Sequence, residues 1–344
     1  MGTVRVAIAG ATGYAGEELI RLLLGHPNVQ LTYLAASAKW ERPTPASDVF
    51  PRFARQLDLP IESLDPARLA ALADVIFLAL PHGAAMGCVP DLLKAGRRVI
   101  DLSGDFRLKD AGLYPQWYKF THAHPELLNG QGVYGLTEWH RQEIAGAKLV
   151  ANPGCYPTSV LLAVLPLLKQ GLIDDGRVIV DAKSGLTGAG RKADASLLFT
   201  EITDNLRAYK VNEHQHMPEM LQEIQAMTGR SVSLIFTPQL IPATRGLISM
   251  LYLRTTQPEA RIRSAYEQGY SIAQAPFVRV RPGTLPELKD VVGTNYCDIG
   301  YVCHPALESL IVVSAIDNLM KGAAGQAIQN FNLMCGFPET TGLC

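Results

Sequence analysis

Residues 4 to 10, VRVAIAG, alternate β-branched and small residues as a buried strand does, and the following ATGYAGEELIRLLLGHP carries apolar residues at helical spacing from Leu19 to Leu24. The change of period recurs along the chain. VQLTYLAAS (29–37) reads as a second strand, ADVIFLALP (73–81) and RRVIDLSGDFRL (97–108) as a third and a fourth, with helical HGAAMGCVPDLLKAG between the last two. Strands alternating with helices predict an α/β fold with a parallel, doubly wound sheet whose ligands sit at the strands' carboxyl ends. After Val150, NPGCYPT runs into an apolar helix, SVLLAVLPLLKQG. RVIVDA then reads as a strand, VNEHQHMPEM (211–220) as an extended segment before a helix opened by Pro218, and TPQLIPATRGLISMLYLR (237–254) as strand with Arg245 at a turn. The last stretch, ESLIVVSAIDNLMKGAAGQAIQNFNLM, reads as a strand into a long helix. Its small-residue stripe (Gly322, Ala323, Ala324, Gly325, Ala327) permits close packing back onto the first part of the chain.

At 344 residues the chain exceeds the usual single-core size, so two domains, or one large α/β domain with a substantial insertion, are expected. Hydrophobic residues at 48% and charged residues at 18% fit a compact globular enzyme and exclude a disordered or fibrous chain. Lys+Arg 31 against Asp+Glu 32 leaves a formal charge of -1, so no global field recruits nucleic acid or an anionic membrane, and neither is expected as a partner. Any anionic ligand must be caught by local groups. Six cysteines (88, 155, 297, 303, 335, 344) without a C-x-x-C pair point to free thiols in a reducing cytoplasm. Cys297 and Cys303, near His304, read as strand residues, and no metal is expected. MGTVRVAIAG lacks the parts of a signal peptide, and Val6 stands where a myristoylation motif needs Ser or Thr. The most apolar window, 149–168, contains Asn152 and three prolines, which argues against a membrane span.

Between the first strand and the first helix sit Gly10, Gly13 and Gly16. Glycines here let backbone approach a pyrophosphate, while the helix N-terminus offers N–H groups and positive dipole charge; tight packing is the competing reason for them. The turn nominates Gly10, Thr12, Gly13, Tyr14, Ala15 and Gly16 as cofactor contacts. At the end of the second strand, where a ribose diol would call for Asp or Glu, the chain has Ser37, Ala38 and Lys39. A hydroxyl and an ammonium there favour a 2′-phosphate, hence NADP, against the alternative that Lys39 is a solvated loop charge. The tips of the third and fourth strands carry Pro81, His82 and Gly83, then Ser103, Gly104, Asp105, Phe106 and Arg107. Arg107 could grip a phosphate or carboxylate as a fork or form a surface ion pair.

Cys155 stands just before, or at, the start of its helix, where dipole and N–H groups stabilise a thiolate and, equally, an oxyanion formed by its attack on a carbonyl. A buried structural thiol is the rival reading, and the stiff setting of Gly154, Pro153 and Pro157 argues against it. A catalytic thiol needs a proton acceptor, and His214 and His216 of HQH are nominated, one for acid/base work and the other for binding substrate or phosphate. A His-x-His pair is also a metal-ligand pattern, but no third ligand of fitting spacing accompanies it. The His-Ala-His of residues 122–124 reads as a loop. DAKSGLTGAGRKA (181–193) mixes glycines, hydroxyls and cations, suited to an anionic group or to a surface connection. Asn318, at the strand-to-helix junction, could hydrogen-bond a carboxamide.

Taken together, GATGYAG, DLSGDFRL, NPGCYPT, SGLTGAGRKA, HQHMPEM and DNLMKGAAGQA resemble the N-acetyl-γ-glutamyl-phosphate reductases over essentially the whole chain. The resemblance implies a Rossmann-type dinucleotide-binding domain (1–150) completed by the C-terminal segment 315–344. It further implies a glyceraldehyde-3-phosphate-dehydrogenase-like α+β domain (151–314) for catalysis, substrate and oligomerisation. It implies NADPH-dependent reduction of an acyl phosphate to a semialdehyde in arginine biosynthesis, through attack by Cys155 and a thioester, with proton transfer by His216 or His214. NADP contacts are expected from the first glycine turn, Ser37, Lys39, Pro81, Ser184, Gly185 and Asn318; substrate contacts from Arg107, Asn152, Gly154, Gly188, Arg191 and Arg245. The enzyme is expected to be a cytoplasmic homodimer or homotetramer. A sister reductase acting on the aminoadipate or aspartyl acyl phosphate, and a non-catalytic NADP-binding protein, are the alternatives.

Overall fold

In the computed structural model, which describes residues 2–343, the opening alternation becomes β1 (Val4–Ala9), buried on both faces from Val6 onward. Met1 and Cys344 lie outside the described residues. The chain forms two units, one running to Pro153 and resuming at Ala323, the other Gly154–Gly322.

In the first unit, β1 leads to α1 (Tyr14–Leu24), β2 (Val29–Ala35), the short β3 (Thr44–Pro45) and β4 (Pro60–Glu62), α2 (Pro66–Leu72) and β5 (Val75–Leu78). Then come α3 (Val89–Lys94), β6 (Arg98–Asp101), β7 (Gly132–Tyr134), α4 (Thr137–Gly146) and β8 (Leu149–Ala151). The strand order is β3-β4-β2-β1-β5-β6-β8-β7, parallel throughout except for the β3–β4 pair. This is the doubly wound sheet the alternation predicts.

Two expected elements are shorter. The fourth strand ends at Asp101, not Leu108, because the Asp101 carboxylate accepts hydrogen bonds from the N–H and hydroxyl of Ser103, and the Ser103 hydroxyl accepts the N–H of Asp105. Such local side-chain bonds satisfy the backbone in a turn instead of a ladder. Of the helix expected from His82, only Val89–Lys94 is α-helical, after a 3₁₀ turn at Ala85–Gly87; Pro90, which has no N–H, fits the helix's second position.

The second unit opens with α5 (Cys155–Lys169) and continues through β9 (Arg177–Ser184), β10 (Arg207–Ala208), α6 (His216–Thr228), β11 (Ser233–Leu240) and β12 (Leu247–Arg254). It ends with α7 (Glu259–Gly269), β13 (Val278–Pro282), β14 (Cys297–His304) and β15 (Ser309–Ile316). The mixed sheet runs β10-β11-β9-β12-β15-β14-β13. Arg245 lies in the β11–β12 turn, and Cys297 and Cys303 lie in a strand, as the pattern predicts.

Helix α5 packs on β12 and β15 and is buried from Tyr156 to Leu168. Its Ser159 hydroxyl lies 3.0 Å from those of Ser249 and Ser314, a fully buried polar cluster that fixes where the helix sits on the sheet. Pro166 has no N–H to offer the carbonyl of Leu162, and the hydroxyl of Tyr270 donates to that oxygen at 2.6 Å instead.

Past β15 the chain makes a single π-helical stretch, Met320–Ala324, and enters α8 (Gly325–Cys335), which rejoins the first unit against α4 and α1. A buried amide network holds it there: Asn330 Nδ2 donates to the carbonyl of Gly135 and to Asn152 Oδ1, and Gln326 Nε2 to the carbonyl of Gly135. Among the described residues no helix is long and apolar enough to cross a membrane.

Candidate active site

Each unit carries its own set of functional groups. In the first unit they gather at the carboxyl ends of β1, β5 and β6. Gly10 adopts φ +86°, and a Cβ there would lie 2.2 Å from the carbonyl oxygen of Ala79; a Cβ on Gly16 would lie 2.2 Å from the carbonyl oxygen of Gly10. These two glycines are required by neighbouring backbone. Gly13 differs, since a Cβ there would meet nothing closer than Gly10 O at 3.5 Å, and it caps α1 with no side chain bonded over the helix end. Thr12, Tyr14 and Ala15 flank that bare N-terminus. A glycine-lined helix start fits a dinucleotide pyrophosphate.

Ser37 and Lys39 are exposed on the loop after β2, which is closed by a bond from the N–H of Trp40 to the carbonyl of Ser37. Pro81 is exposed beside Gly83 (φ +88°). The loops after β5 and β6 are stitched together: Asp105 accepts the N–H groups of Gly83 at 2.7 Å and Met86 at 3.1 Å, and His82 Nδ1 accepts that of Gly104 at 2.8 Å. Burial, and then the charge of Asp105, raise the Asp101 carboxyl to about 7.

Arg107 is not a surface residue. It is buried, its Nε donating to the carbonyl of Asn152 and its guanidinium also to the carbonyl of Leu102, both at 2.8 Å. Asn152 in turn donates to the carbonyl of Ala323 at 3.1 Å and accepts from Asn330. Both side chains therefore make bonds that shape the end of β8.

In the second unit, Cys155 is the first residue of α5 and Gly154 its cap, with no side-chain cap bond. The helix's first N–H groups are left without intrahelical partners by geometry, and Pro157, third in the helix, has none to leave. Two histidines approach this end. A Cβ added to Gly154 would lie 2.4 Å from His216 Nε2, so the imidazole rests directly on the glycine. The segment 211–215 is a turn, not the expected extended stretch, and α6 begins at His216 itself, with Pro218 third. The reason is a local cap: His214 Nδ1 accepts the N–H of His216 at 3.1 Å, which bends the chain into the helix. The two rings nevertheless lie together, centroids 4.6 Å apart.

Accepting through Nδ1 leaves a neutral His214 with its proton on Nε2. Its ring is buried among the edges of Tyr156, Tyr209 and Phe236. The Tyr156 and Tyr209 hydroxyls are 3.2 Å apart; burial pushes the Tyr209 phenol up to about 12 and that of Tyr156 further. Both stay neutral hydrogen-bonding groups.

Other nominated residues meet around the start of β12. Gly185 and Gly246 pair through backbone, Asn318 accepts the N–H of Gly246 at 2.8 Å and donates to the Thr187 hydroxyl at 3.0 Å, and a Cβ on Gly188 would lie 3.0 Å from Ser184 Oγ. Arg245 is ion-paired with buried Asp317 at 3.0 Å. Arg191 is exposed on the following loop.

Three contacts were not read from the sequence. A Cβ on Gly322 would lie 2.8 Å from Cys155 Cβ, so this member of the small-residue stripe makes room for the thiol. Glu219 accepts the N–H of Gly154 at 2.8 Å, and Tyr156 contacts both histidine rings. The spacing of Glu219, three residues after His216 on one helix face, was the available signal.

Known proteins resemble the chain in sequence and in fold. Residues 5–147 match the family described as semialdehyde dehydrogenase, NAD binding domain, and residues 155–318 that described as semialdehyde dehydrogenase, dimerisation domain. A protein of Syntrophobacter fumaroxidans named N-acetyl-gamma-glutamyl-phosphate reductase is 48% identical over 343 residues, covering 99% of this chain and 98% of that one. The like-named protein of Geobacter metallireducens is 47% identical over 344 residues, with 99% and 98% covered. Among solved structures, aspartate semialdehyde dehydrogenase II of Vibrio cholerae, complexed with ASA, superposes with TM-score 0.72 at 18% identity over 98% of this chain and 99% of that one. Aspartate semialdehyde dehydrogenase with NADP from Candida albicans gives 0.68 at 15%, covering 97% and 99%. At such identities the structures share the fold.

Proposed function

The chain belongs to the N-acetyl-γ-glutamyl-phosphate reductase family, and we propose that it carries out that reaction in the cytoplasm, with Cys155 as nucleophile and His216 as general acid and base. The substrate is N-acetyl-L-glutamyl 5-phosphate; the products are N-acetyl-L-glutamate 5-semialdehyde and phosphate, a step of arginine biosynthesis. The observation that carries the assignment is the seat of the His216 ring on Gly154, adjacent to the thiol.

The thiolate of Cys155, favoured by the N-terminus of α5, attacks the acyl carbonyl. The resulting oxyanion is held by the first N–H groups of the helix, those of Cys155 and Tyr156, and expulsion of phosphate leaves a thioester. The Gly10–Gly16 turn would hold NADPH, with Ser37 and Lys39 for its 2′-phosphate, and the bound cofactor would supply the hydride that takes the carbonyl of the Cys155 thioester to a thiohemiacetal. His216 supplies the proton to that oxygen and takes it back as the C–S bond breaks, returning aldehyde and thiolate. His214 holds the start of α6 through its bond to the N–H of His216. Within the second unit, Asn318 and the Ser184–Gly188 turn are assigned to the nicotinamide end and Arg191 and Arg245 to the anionic substrate; within the first, Arg107 and Asn152 are assigned to shaping the end of β8.

We assign oligomerisation to the sheet face turned away from α5. Alternation puts Ile235, Tyr252 and Val302 there, all exposed, which supports a homodimer or homotetramer.

Replacing Cys155 with Ala and following phosphate-dependent, NADP-linked oxidation of the semialdehyde tests the assignment. Turnover is expected to fall by about 10³-fold or more. Retained turnover would sink the thiol mechanism, and a higher kcat/KM for aminoadipate or aspartate semialdehyde than for the acetylglutamate compound would overturn the substrate.

A further inference from the structure

We propose that Glu219 is a positioning residue for this reaction, fixing the end of the helix that bears the thiol against the helix that bears the base; the role rests on the assignment of Cys155 and His216 above. Glu219 is fully buried, 0% exposed, in the first full turn of α6. Its neighbours on the buried side of that helix are apolar Met217, Met220 and Ile224 together with His216 and Glu223, and a carboxylate buried there is costly unless it is hydrogen-bonded. Its Oε1 accepts the N–H of Gly154 at 2.8 Å. Gly154 caps α5 without a side chain, so α5 itself provides nothing to hold that N–H.

Three residues separate Glu219 from His216, which places both on one face of α6. The face touches Gly154 at two points: the imidazole over its Cα, where a Cβ would be 2.4 Å from Nε2, and the carboxylate on its N–H. One contact would let the glycine rotate; two fix its orientation, and with it the direction in which the next residue, Cys155, projects its sulfur. The Gly154 N–H is thereby taken, which directs a substrate oxyanion to the N–H groups that follow it. An acceptor anion at this end is also favoured by the dipole of α5.

The test compares Glu219→Ala, Glu219→Asp and Glu219→Gln in the full-length enzyme, with Cys155→Ala in parallel. Steady-state rates and the pH dependence of inactivation by iodoacetamide are both measured. A displacement near 1 Å costs about 10²-fold, so Glu219→Ala should lower kcat by about that factor while the KM for NADPH stays within about twofold. In Glu219→Asp, which keeps the negative charge, the midpoint of alkylation should move to higher pH as the thiol loses its fixed place at the helix end; in Glu219→Ala the loss of a nearby carboxylate acts in the opposite direction. Glu219→Gln keeps both the bulk and an oxygen acceptor for the N–H of Gly154 and should restore kcat to within about fivefold. A fourth variant, Glu219→Met, of similar length but without that acceptor, should stay as slow as alanine, which loss of packing alone would not produce.

Glu219→Asp, one methylene shorter, should fold and show the loss even if the alanine variant does not. Wild-type kcat in the alanine or aspartate variant, an unshifted alkylation profile in the aspartate variant, a glutamine variant as impaired as alanine, or a methionine variant as active as glutamine would each overturn the proposal. Turnover by Cys155→Ala would instead overturn the thiol assignment; an inactive Cys155→Ala beside a normal Glu219→Ala would remove Glu219 alone.

Discussion

Helices α1 and α5 start alike and serve different chemistry. Each follows a strand of the first sheet, and each is capped by a glycine, which has no side chain to bond over the helix end. At α1 the surroundings are backbone: Gly10 and Gly16 are pressed to within 2.2 Å, by Cβ reckoning, of carbonyl oxygens, while Gly13 itself is open. At α5 the surroundings are side chains, with the ring of His216 on Gly154 and the carboxylate of Glu219 on its N–H. A helix end that receives an anion and later releases it has to stay uncovered. The end that holds a permanent nucleophile is instead gripped by the groups that must meet it.

The contrast breaks most directly at Gly154. Gly154→Ala should leave folding and NADPH binding intact, since its Cβ meets a side chain that can swing away, but it would push out the general base. Proton transfer by a positioned side chain is worth about 10²–10⁴-fold, so kcat should fall by about 10³-fold, measured with thermal unfolding and an NADPH titration as controls. If unfolding moves as far as the rate does, the ring is packing and not base.

Gly16→Ala should do the opposite. Here the added carbon meets the carbonyl of Gly10, which cannot move without displacing the end of β1, and overpacking of this kind costs about 1–3 kcal/mol. The expected outcome is lower stability in denaturant titration and weakened NADPH binding, with Cys155 still alkylated at the wild-type rate. Loss of thiol reactivity in this variant would mean that the two helix ends are not the separate devices described.

Much of the first device was legible in the sequence because its cause is local. GATGYAG lies between a period-2 and a period-3.6 run, and the contact that demands glycine at Gly16, with the carbonyl of Gly10, is formed within that turn, whereas the one at Gly10 is with the carbonyl of Ala79, past the end of β5. The thiol was legible for a similar reason, since Gly154 and Pro157 mark a helix start by themselves. Its partners were only half legible. His214 and His216 stood out by type, but reading them as an extended pair missed the cap that turns His214 inward. Glu219 and Gly322 look ordinary in sequence. One is a glutamate in the first turn of a helix, where such residues are common, and the other is one small residue among several. Their contacts join segments distant in sequence, Gly154 with Glu219 and Cys155 with Gly322, and beyond the three-residue spacing of Glu219 from His216 no local period encodes them. The same holds for Arg107, whose burial under the carbonyls of Leu102 and Asn152 depends on how β6 and β8 pair.

The smallest effect is expected at His214 and sharpens the comparison from the side of the base. If its work is to accept the N–H of His216, then what matters is an acceptor placed two residues before that N–H, which asparagine also provides. A helix cap contributes about 1 kcal/mol, so His214→Ala should lower kcat by about fivefold to tenfold as α6 frays and the His216 ring loses its seat. His214→Asn should recover most of that loss, although it cannot shuttle protons near neutral pH. Steady-state kinetics of both variants decide the matter. An asparagine variant as slow as alanine would show that the imidazole of His214 acts on the substrate, and α5 would then be faced by two working histidines instead of one base and its cap.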